Sequence, residues 1–209
     1  FEVGACIGIP IMTAHRCVYA GGSLAGQTVV VTGGAGRVGY YAIQWAKHAG
    51  ARVIATASNS GDEAVCKSVG ADFVVNHRQD DWADQVLSCT GGEKVGRVVD
   101  VEFGANLPQV LKFIATSGVI ATYSSTQVKE PQLPFIQMMF LDLTLRMVVV
   151  YAMPEEAKQR AVNDTCELLE QERLQLRIAH NLPFAEMTRS HELIEQGGVG
   201  GCVVVRIDK

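Results

Sequence analysis

The 209-residue sequence has little of what marks membrane-bound, disulfide-linked or nucleic-acid-binding proteins. No apolar run reaches the length of a membrane span, and no charged-then-apolar signal segment opens the chain. The net charge of −4 argues against a nucleic acid or an anionic membrane as the partner. The six cysteines form no Cys-x-x-Cys pair and no cluster with histidine, which argues against a metal site and disulfides. We therefore expect free thiols in the reducing cytoplasm.

Length and composition indicate one large domain, or one domain with an appendage. Hydrophobic residues make up 48% of the chain, which is ordinary for a soluble globular protein with a substantial core. The first residue is Phe1 rather than an initiator methionine. We therefore expect an excised portion of a longer protein.

The stretch from Thr28 to Ala51, TVVVTGGAGRVGYYAIQWAKHAGA, predicts a strand, a glycine turn and a helix in immediate succession. Its first residues are β-branched, as in strands that are buried on both faces. Apolar residues take helical spacing from Arg37 onward. Gly50 is suited to ending this helix, because a left-handed cap costs glycine nothing.

Three glycines of this stretch, Gly34, Gly36 and Gly39, have the spacing of a dinucleotide-binding fingerprint. A pyrophosphate is stable at a helix N-terminus, where free backbone N–H groups and the helix dipole favour an anion. Side chains at Gly34 or Gly36 would hold the ligand off, and Gly39 would let the helix touch the strand. A glycine turn that binds nothing is the alternative; the strand before it and the helix after it favour the ligand.

Strands and helices keep alternating after this unit, which predicts an α/β fold. Several strands are apolar on both faces, so the sheet should be parallel and covered by helices on both sides. Right-handed crossovers then favour a doubly wound, six-stranded Rossmann sheet. The predicted strands are Thr28–Thr32, Ala51–Ser58, Asp72–Asn76, Gly96–Val101, Gly118–Ser124 and Leu145–Met153.

The end of the second strand bears on the choice between NAD and NADP. An NAD-preferring site usually has Asp or Glu there to hold the ribose 2′-hydroxyl, whereas this chain has Ala57 and Ser58. Since a carboxylate would repel a 2′-phosphate, its absence favours NADP over NAD. Acidic and basic residues both lie nearby: Asp62, Glu63, Lys67, His77 and Arg78.

The sixth predicted strand, Leu145–Met153, bears on assembly. It comes last in the doubly wound strand order, so we expect it at a sheet edge with unpaired backbone groups. The stretch before it, Pro134–Leu143, is apolar nearly all round and is expected to be a helix buried on two sides, against its sheet and against a partner. We therefore expect an isologous homodimer joined edge to edge. The alternative is an edge that the chain's own C-terminal segment covers.

The residues from Pro154 onward break the strict alternation. They predict a long amphipathic helix, an extended stretch near Ile178–Leu182, a helix through His191–Gln196 and a last strand, CVVVRI. We divide the chain into a dinucleotide-binding Rossmann domain with a leading helix, residues 1–153, and a C-terminal segment, residues 154–209. We expect the latter to pack on another domain.

Sequence blocks along the whole chain resemble one family. The blocks are GIPIMTAH, VVVTGGAGRVG, QWAKHAGARVIATA, GAD, GGEKVGRVVDV and HELIEQGGVGGCVVVRI. Their order resembles the quinone oxidoreductase branch, which includes zeta-crystallin, of the medium-chain dehydrogenase/reductase superfamily. The resemblance implies an N-terminal catalytic domain ahead of this part and dimerisation through this domain. It further implies hydride transfer from NAD(P)H to a quinone or α,β-unsaturated carbonyl, without a catalytic zinc.

The resemblance also implies roles for particular residues at matching positions. Two departures concern lysines of the branch: Asp62 stands near the position of one that often meets the 2′-phosphate, and Cys202 replaces another near the last strand. No catalytic residue is assigned, because most of the substrate pocket is expected on the other domain. The implied cofactor contacts, besides Gly34 and Gly39, are Ala35, Gly36, Arg37 and Val38 for the pyrophosphate, Ser58 and His77 for the adenosine, and Tyr123, Ser124, Val150 and Tyr151 for the nicotinamide.

Two alternative functions have partial support in the sequence. An extended short-chain dehydrogenase has a similar glycine turn but needs a Tyr-x-x-x-Lys pair, in which the lysine lowers the tyrosine pKa for proton transfer. None of the five tyrosines has a lysine four residues on, so this class is rejected. A non-catalytic module that uses NAD(P)H as a regulator or scaffold stays open, because a fold alone does not set the function.

Overall fold

The computed structural model describes residues 1–207 and contains a six-stranded parallel sheet. The strand order β3-β2-β1-β4-β5-β6 is that of the doubly wound Rossmann fold, so the predicted fold class is confirmed. The strands are β1 (Thr28–Val31), β2 (Arg52–Ala57), β3 (Phe73–Asn76), β4 (Val95–Asp100), β5 (Ile114–Thr122) and β6 (Thr144–Met147).

Helices cover both faces of the sheet and give it two apolar clusters. Val29 and Val31 of β1 face the cluster that contains Trp45, whereas Val30 faces the cluster that contains Phe113. This two-sided burial explains the uninterrupted β-branched run in the sequence. The helices are α1 (Glu2–Cys6), α2 (Ile9–Tyr19), α3 (Arg37–His48), α4 (Ser60–Ser68), α5 (Trp82–Thr90), α6 (Phe103–Phe113), α7 (Phe135–Phe140), α8 (Glu155–Glu170) and α9 (Met187–Gln196).

The sixth strand lies at the sheet edge as predicted, but it is shorter than the sequence suggested. β6 ends at Met147, opposite Thr122, where β5 also ends, so the following residues have no strand to pair with. They form instead a short 3₁₀ turn at Val150–Ala152. The predicted strand over Leu145–Met153 is therefore wrong from Val148 onward.

The apolar stretch before β6 also differs from its prediction. Only Phe135–Phe140 is helical, and none of these residues is buried within the chain. Phe135 and Phe140 are 69% and 78% exposed. Met138 of this helix packs half-buried against the apolar cluster of the sheet, as do Leu141 and Leu143 just after it, so the predicted stretch does contact its own sheet. The helix is shorter than predicted, and its burial against a partner stays a prediction.

The C-terminal segment, residues 154–207 of the described chain, begins by packing on the sheet's helices. Leu168 of α8 and Leu174 are buried in the same apolar cluster as α2 and α3. Gln44 and Gln175 exchange two hydrogen bonds: the Gln44 side chain donates to the Gln175 carbonyl at 3.1 Å and accepts from its N–H at 2.7 Å. Beyond them, β7 (Ile178–Pro183) and β8 (Cys202–Arg206) form a separate parallel pair, against which α1 packs.

The described helices also bear on membrane insertion. None of the helices within residues 1–207 has both the length and the apolar character needed to cross a bilayer.

Candidate functional site

The glycine turn between β1 and α3 is open to solvent. Gly36 is the N-cap of α3 and exposed, with ordinary extended dihedrals (φ −71°, ψ 167°). No side chain caps the helix, so the N–H groups of its first turn are free to bind an anion. A Cβ at Gly36 would meet only the Gly33 carbonyl oxygen, at 3.1 Å. The space above this helix end therefore suits a phosphate group.

The other two glycines of the fingerprint are required by packing. A Cβ on Gly39 would lie 2.2 Å from the Gly33 carbonyl oxygen, so the helix packs against the turn itself. A Cβ on Gly34 would lie 2.8 Å from the Cys66 sulfur and 2.9 Å from the Ala55 Cβ. The ligand-based reason expected for Gly34 is thus replaced by a steric one inside the fold.

A polar network ties β1 to β4 at the carboxyl edge of the sheet. The Thr32 hydroxyl donates to Asp100 Oδ1 at 2.6 Å, and Asn106 donates to the same oxygen at 2.7 Å. Asp100 is completely buried and its second oxygen has no partner among the described residues. Burial therefore raises the pKa of Asp100 above its ordinary value, despite these hydrogen bonds.

A second carboxylate fixes the loop that follows β5. Glu102 accepts hydrogen bonds from the Thr126 N–H and hydroxyl, at 3.0 and 2.6 Å, and from the Gln127 N–H at 2.9 Å. Desolvation alone would raise the pKa of Glu102, but these donors outweigh it and the pKa is lowered. The carboxylate stays ionised and holds this loop over the sheet edge.

Thr32, Asn106 and Glu102 of these networks line a cavity of about 420 Å³ at the carboxyl ends of the strands. Two of the predicted site residues, His77 and Ser124, meet there, together with Arg78. Loss of solvent around the ring, followed by the charge of Arg78, lowers the pKa of His77. Ser58 lies immediately after β2, at the same sheet edge. The predicted adenosine-side residues therefore lie along one edge.

The predicted nicotinamide-side residues are less tightly grouped. Tyr123 and Ser124 line a smaller cavity of about 260 Å³ with Val148 and Val149. Burial strongly raises the pKa of Tyr123, so this phenol stays protonated at neutral pH. The other two predicted residues lie in the 3₁₀ turn after β6. Val150 is buried there, whereas Tyr151 is 76% exposed.

A third cavity, of about 190 Å³, lies beside the glycine turn. Its lining includes the predicted residues Ala35, Gly36 and Arg37, and it also includes Arg177 from the C-terminal segment. Sequence reasoning missed Arg177, because it stands in an irregular stretch before β7 and belongs to no motif. Its approach to the turn depends on how the C-terminal segment packs.

Side chains that could ligate a metal are scattered over residues 1–207. Within that range, no three His, Cys, Asp or Glu side chains lie together in a way that could hold a metal ion. The expectation that the chain uses no catalytic zinc stays a prediction.

Comparison with protein families gives one match over most of the sheet. The family model described as zinc-binding dehydrogenase matches residues 38–165, more than half of the chain. A curated relative, the quinone oxidoreductase of Pongo abelii, is 30% identical over 126 residues. That alignment covers 60% of this chain and 38% of the relative.

Solved structures show the same architecture over nearly the whole chain. An NAD-dependent alcohol dehydrogenase superposes with a TM-score of 0.85 at 30% identity, covering 100% of this chain and 59% of that one. A mycobacterial protein complexed with NADPH superposes with a TM-score of 0.84 at 26% identity, covering 99% of this chain and 65% of that one. The chain spans less than two thirds of the length of each of these three proteins.

Proposed function

The chain belongs to the family of zinc-binding dehydrogenases, and on that premise we propose that it is the cofactor-binding part of an NAD(P)H-dependent oxidoreductase. The proposed reaction transfers hydride to a small-molecule substrate, a quinone or an α,β-unsaturated carbonyl. The relative named quinone oxidoreductase supports this substrate class, and the superposition on a protein complexed with NADPH supports the cofactor.

The observation that carries the proposal is the open, uncapped start of α3 at Gly36. The fold requires Gly34 and Gly39 for its own packing, whereas almost nothing within the chain opposes a side chain at Gly36. An exposed helix N-terminus of this shape fits a pyrophosphate. In the proposal, Ala35, Gly36, Arg37 and Val38 surround it.

The remaining roles follow the order of the strands along the sheet edge. Ser58 and His77 would contact the adenosine, and Tyr123, Ser124, Val150 and Tyr151 the nicotinamide. When bound, the cofactor supplies the hydride; the chain contributes position and electrostatics. Because burial raises the pKa of Tyr123, its hydroxyl stays protonated and can donate a hydrogen bond at neutral pH.

We propose NADPH rather than NADH as the preferred cofactor. The end of β2 carries Ala57 and Ser58 in place of an acid. Arg78 lies on the adenosine-side cavity and forms no salt bridge within residues 1–207. The nearby Asp62 carboxylate already accepts a hydrogen bond from Asn59 at 2.8 Å. A 2′-phosphate would therefore find the Arg78 guanidinium beside this cavity and no carboxylate in place of Ala57 or Ser58, although the carboxylates of Asp62 and Asp80 stand nearby.

Two exposed apolar surfaces suggest where the rest of the protein lies. One is on the C-terminal segment, where Ile178, Phe184 and Met187 are exposed; we propose that residues 154–209 pack there on a catalytic domain. The other comprises α7, β6 and Val149 at the sheet edge. We propose that this second surface joins two copies in a homodimer.

Turnover of NADPH by the full-length protein tests the proposed activity. Oxidation of NADPH should follow addition of a quinone or an enone and be absent without either acceptor. Tight binding of NADPH without turnover of any quinone or enone would contradict the proposed enzymatic activity. It would favour the second candidate, a module that uses the nucleotide as a regulator or scaffold.

A further inference from the structure

We propose that Arg177 binds the pyrophosphate of the cofactor beside the start of α3, so that the C-terminal segment completes the dinucleotide site. This inference rests on the proposed function, because it assigns a further binding residue to that same site. Arg177 lies outside the Rossmann sheet and follows Gly39, the last glycine of the fingerprint, by 138 residues in the sequence.

The position of the guanidinium is the first argument. Arg177 Nη1 donates to the carbonyl oxygen of Ala35 at 3.2 Å, which places the charge directly on the glycine turn. The guanidinium carbon also lies 6.0 Å from the centre of the Tyr40 ring, at the first turn of α3. Both contacts direct the side chain toward the helix end at which an anion is expected.

The backbone around Arg177 fixes where its side chain leaves the C-terminal segment. The Cys202 N–H donates to the Arg177 carbonyl at 2.8 Å, which anchors this residue at the start of β8. Gly200 faces the guanidinium and has no side chain, and a Cβ there would lie 2.3 Å from Arg177 Nη2. Gly200 thus leaves the space that the guanidinium occupies, so a side chain there would push the charge away from the turn.

The charge around this cavity is the third argument. Arg177 and Arg37 both line the 190 Å³ cavity beside Gly36. Neither forms a salt bridge within residues 1–207, whereas six ion pairs between other charged groups are present there. Two uncompensated guanidinium groups beside an uncapped helix N-terminus suit a doubly charged ligand such as a pyrophosphate.

Binding of NADPH to the full-length protein, measured by calorimetry, tests the role of Arg177. The variant Arg177→Gln should weaken binding roughly 10- to 100-fold, the effect of losing one charge-assisted hydrogen bond. The affinity of Arg177→Lys for NADPH should lie between those of the wild type and Arg177→Gln, because lysine keeps the charge but lacks the planar guanidinium that makes two parallel hydrogen bonds. Arg173→Gln, an exposed arginine of the same segment that contacts Gln171 and His48, is the matched control and should bind like the wild type.

A salt series separates an electrostatic role from a structural one. The ratio of wild-type to Arg177→Gln affinity should shrink between about 0.01 M and 1 M ionic strength, over which the Debye length falls from roughly 30 to 3 Å. Thermal unfolding without cofactor shows whether each variant is folded. A ratio that does not change with salt would mean that Arg177 only supports the turn, and would overturn the inference.

The outcomes also separate this inference from the proposed function. Should the wild type bind neither NADPH nor NADH, the proposed function fails, and the role of Arg177 fails with it. Should the wild type bind NADPH and Arg177→Gln bind equally well, only the role of Arg177 is overturned.

Discussion

The Gly39 Cα and the Gly33 carbonyl oxygen approach so closely that a Cβ on Gly39 would lie 2.2 Å from that oxygen. This contact joins the first turn of α3 to the loop after β1. We expect Gly39→Ala to lower the free energy of unfolding by about 1–3 kcal/mol, the usual cost of overpacking. Thermal or denaturant unfolding checks it. Gly36→Ala, with one contact at 3.1 Å, is the comparison; equal stability of both variants would contradict the steric account.

His15 joins α2 to the C-terminal segment, and this contact should make stability depend on pH. The buried ring bonds Asp164 Oδ2 through Nε2 at 2.7 Å. Burial, assisted by the charges of Arg160 and Arg16, lowers the pKa of His15 although Asp164 opposes this. The folded protein thus binds protons less readily than the unfolded chain, whose histidine titrates at about 6.5. The contribution of His15 to the free energy of unfolding is therefore fully present above about pH 6.5 and is lost as the pH falls below that value.

A variant isolates this contribution from the other titrating groups. His15→Gln keeps a donor for Asp164 but cannot titrate, so its stability should decline less than that of the wild type between about pH 7 and pH 5. Denaturant unfolding at several pH values measures both. The exposed His191→Gln should follow the wild type. A wild-type curve that is parallel to His15→Gln would rule out the assignment.

The preference for NADPH over NADH is a further prediction. The full-length protein should bind NADPH about 5-fold more tightly than NADH in calorimetry, because an exposed ion pair such as that between Arg78 and the 2′-phosphate contributes up to about 1 kcal/mol. Arg78→Gln should reduce the ratio of NADPH to NADH affinity. Arg189→Gln, which removes an exposed arginine of α9 that pairs with Glu186, should leave this ratio unchanged. Tighter binding of NADH would contradict the preference, and the carboxylate of Asp62 would be the first group to test.

Assembly through the β6 edge gives a fourth prediction. Val149 is 55% exposed beside the unpaired edge, and a lysine there would place a charge in an apolar interface. Light scattering at micromolar concentration should show a dimer for the wild type and a monomer for Val149→Lys. Val162→Lys, at a 43% exposed position on α8, is the control and should stay dimeric. A monomeric wild type would remove the edge-pairing proposal.

The sheet was predictable from the sequence because each strand carries its own signal. Strands such as β1 are apolar on both faces, and the left-handed glycines Gly50 and Gly70 end the helices α3 and α4 (φ +80° and +103°). The sequence could not show where β6 stops, because that depends on the end of β5 at Thr122. The apolar run from Leu145 does not show where its partner strand, β5, ends.

The candidate site was predictable only where its residues follow a strand or a glycine motif. Gly36, His77 and Ser124 could be placed by the rule that ligands bind at the carboxyl ends of strands. Arg177 could not, because its proximity to Ala35 arises from the packing of Gln175 on Gln44 and of Leu174 in the core. Contacts between segments so distant in sequence leave no local pattern.

The central claim is that a dinucleotide binds at the glycine turn, and Gly36→Val tests it most directly. Gly36 has backbone dihedrals that valine tolerates, and an added side chain would point into the proposed pyrophosphate space. Gly4→Val, at an exposed site with nothing within 4 Å of an added Cβ, is the control. In a calorimetric titration of the full-length protein with NADPH, the wild type and Gly4→Val should bind and Gly36→Val should not, although all three unfold at similar temperatures. Normal binding of NADPH by a folded Gly36→Val would contradict the account.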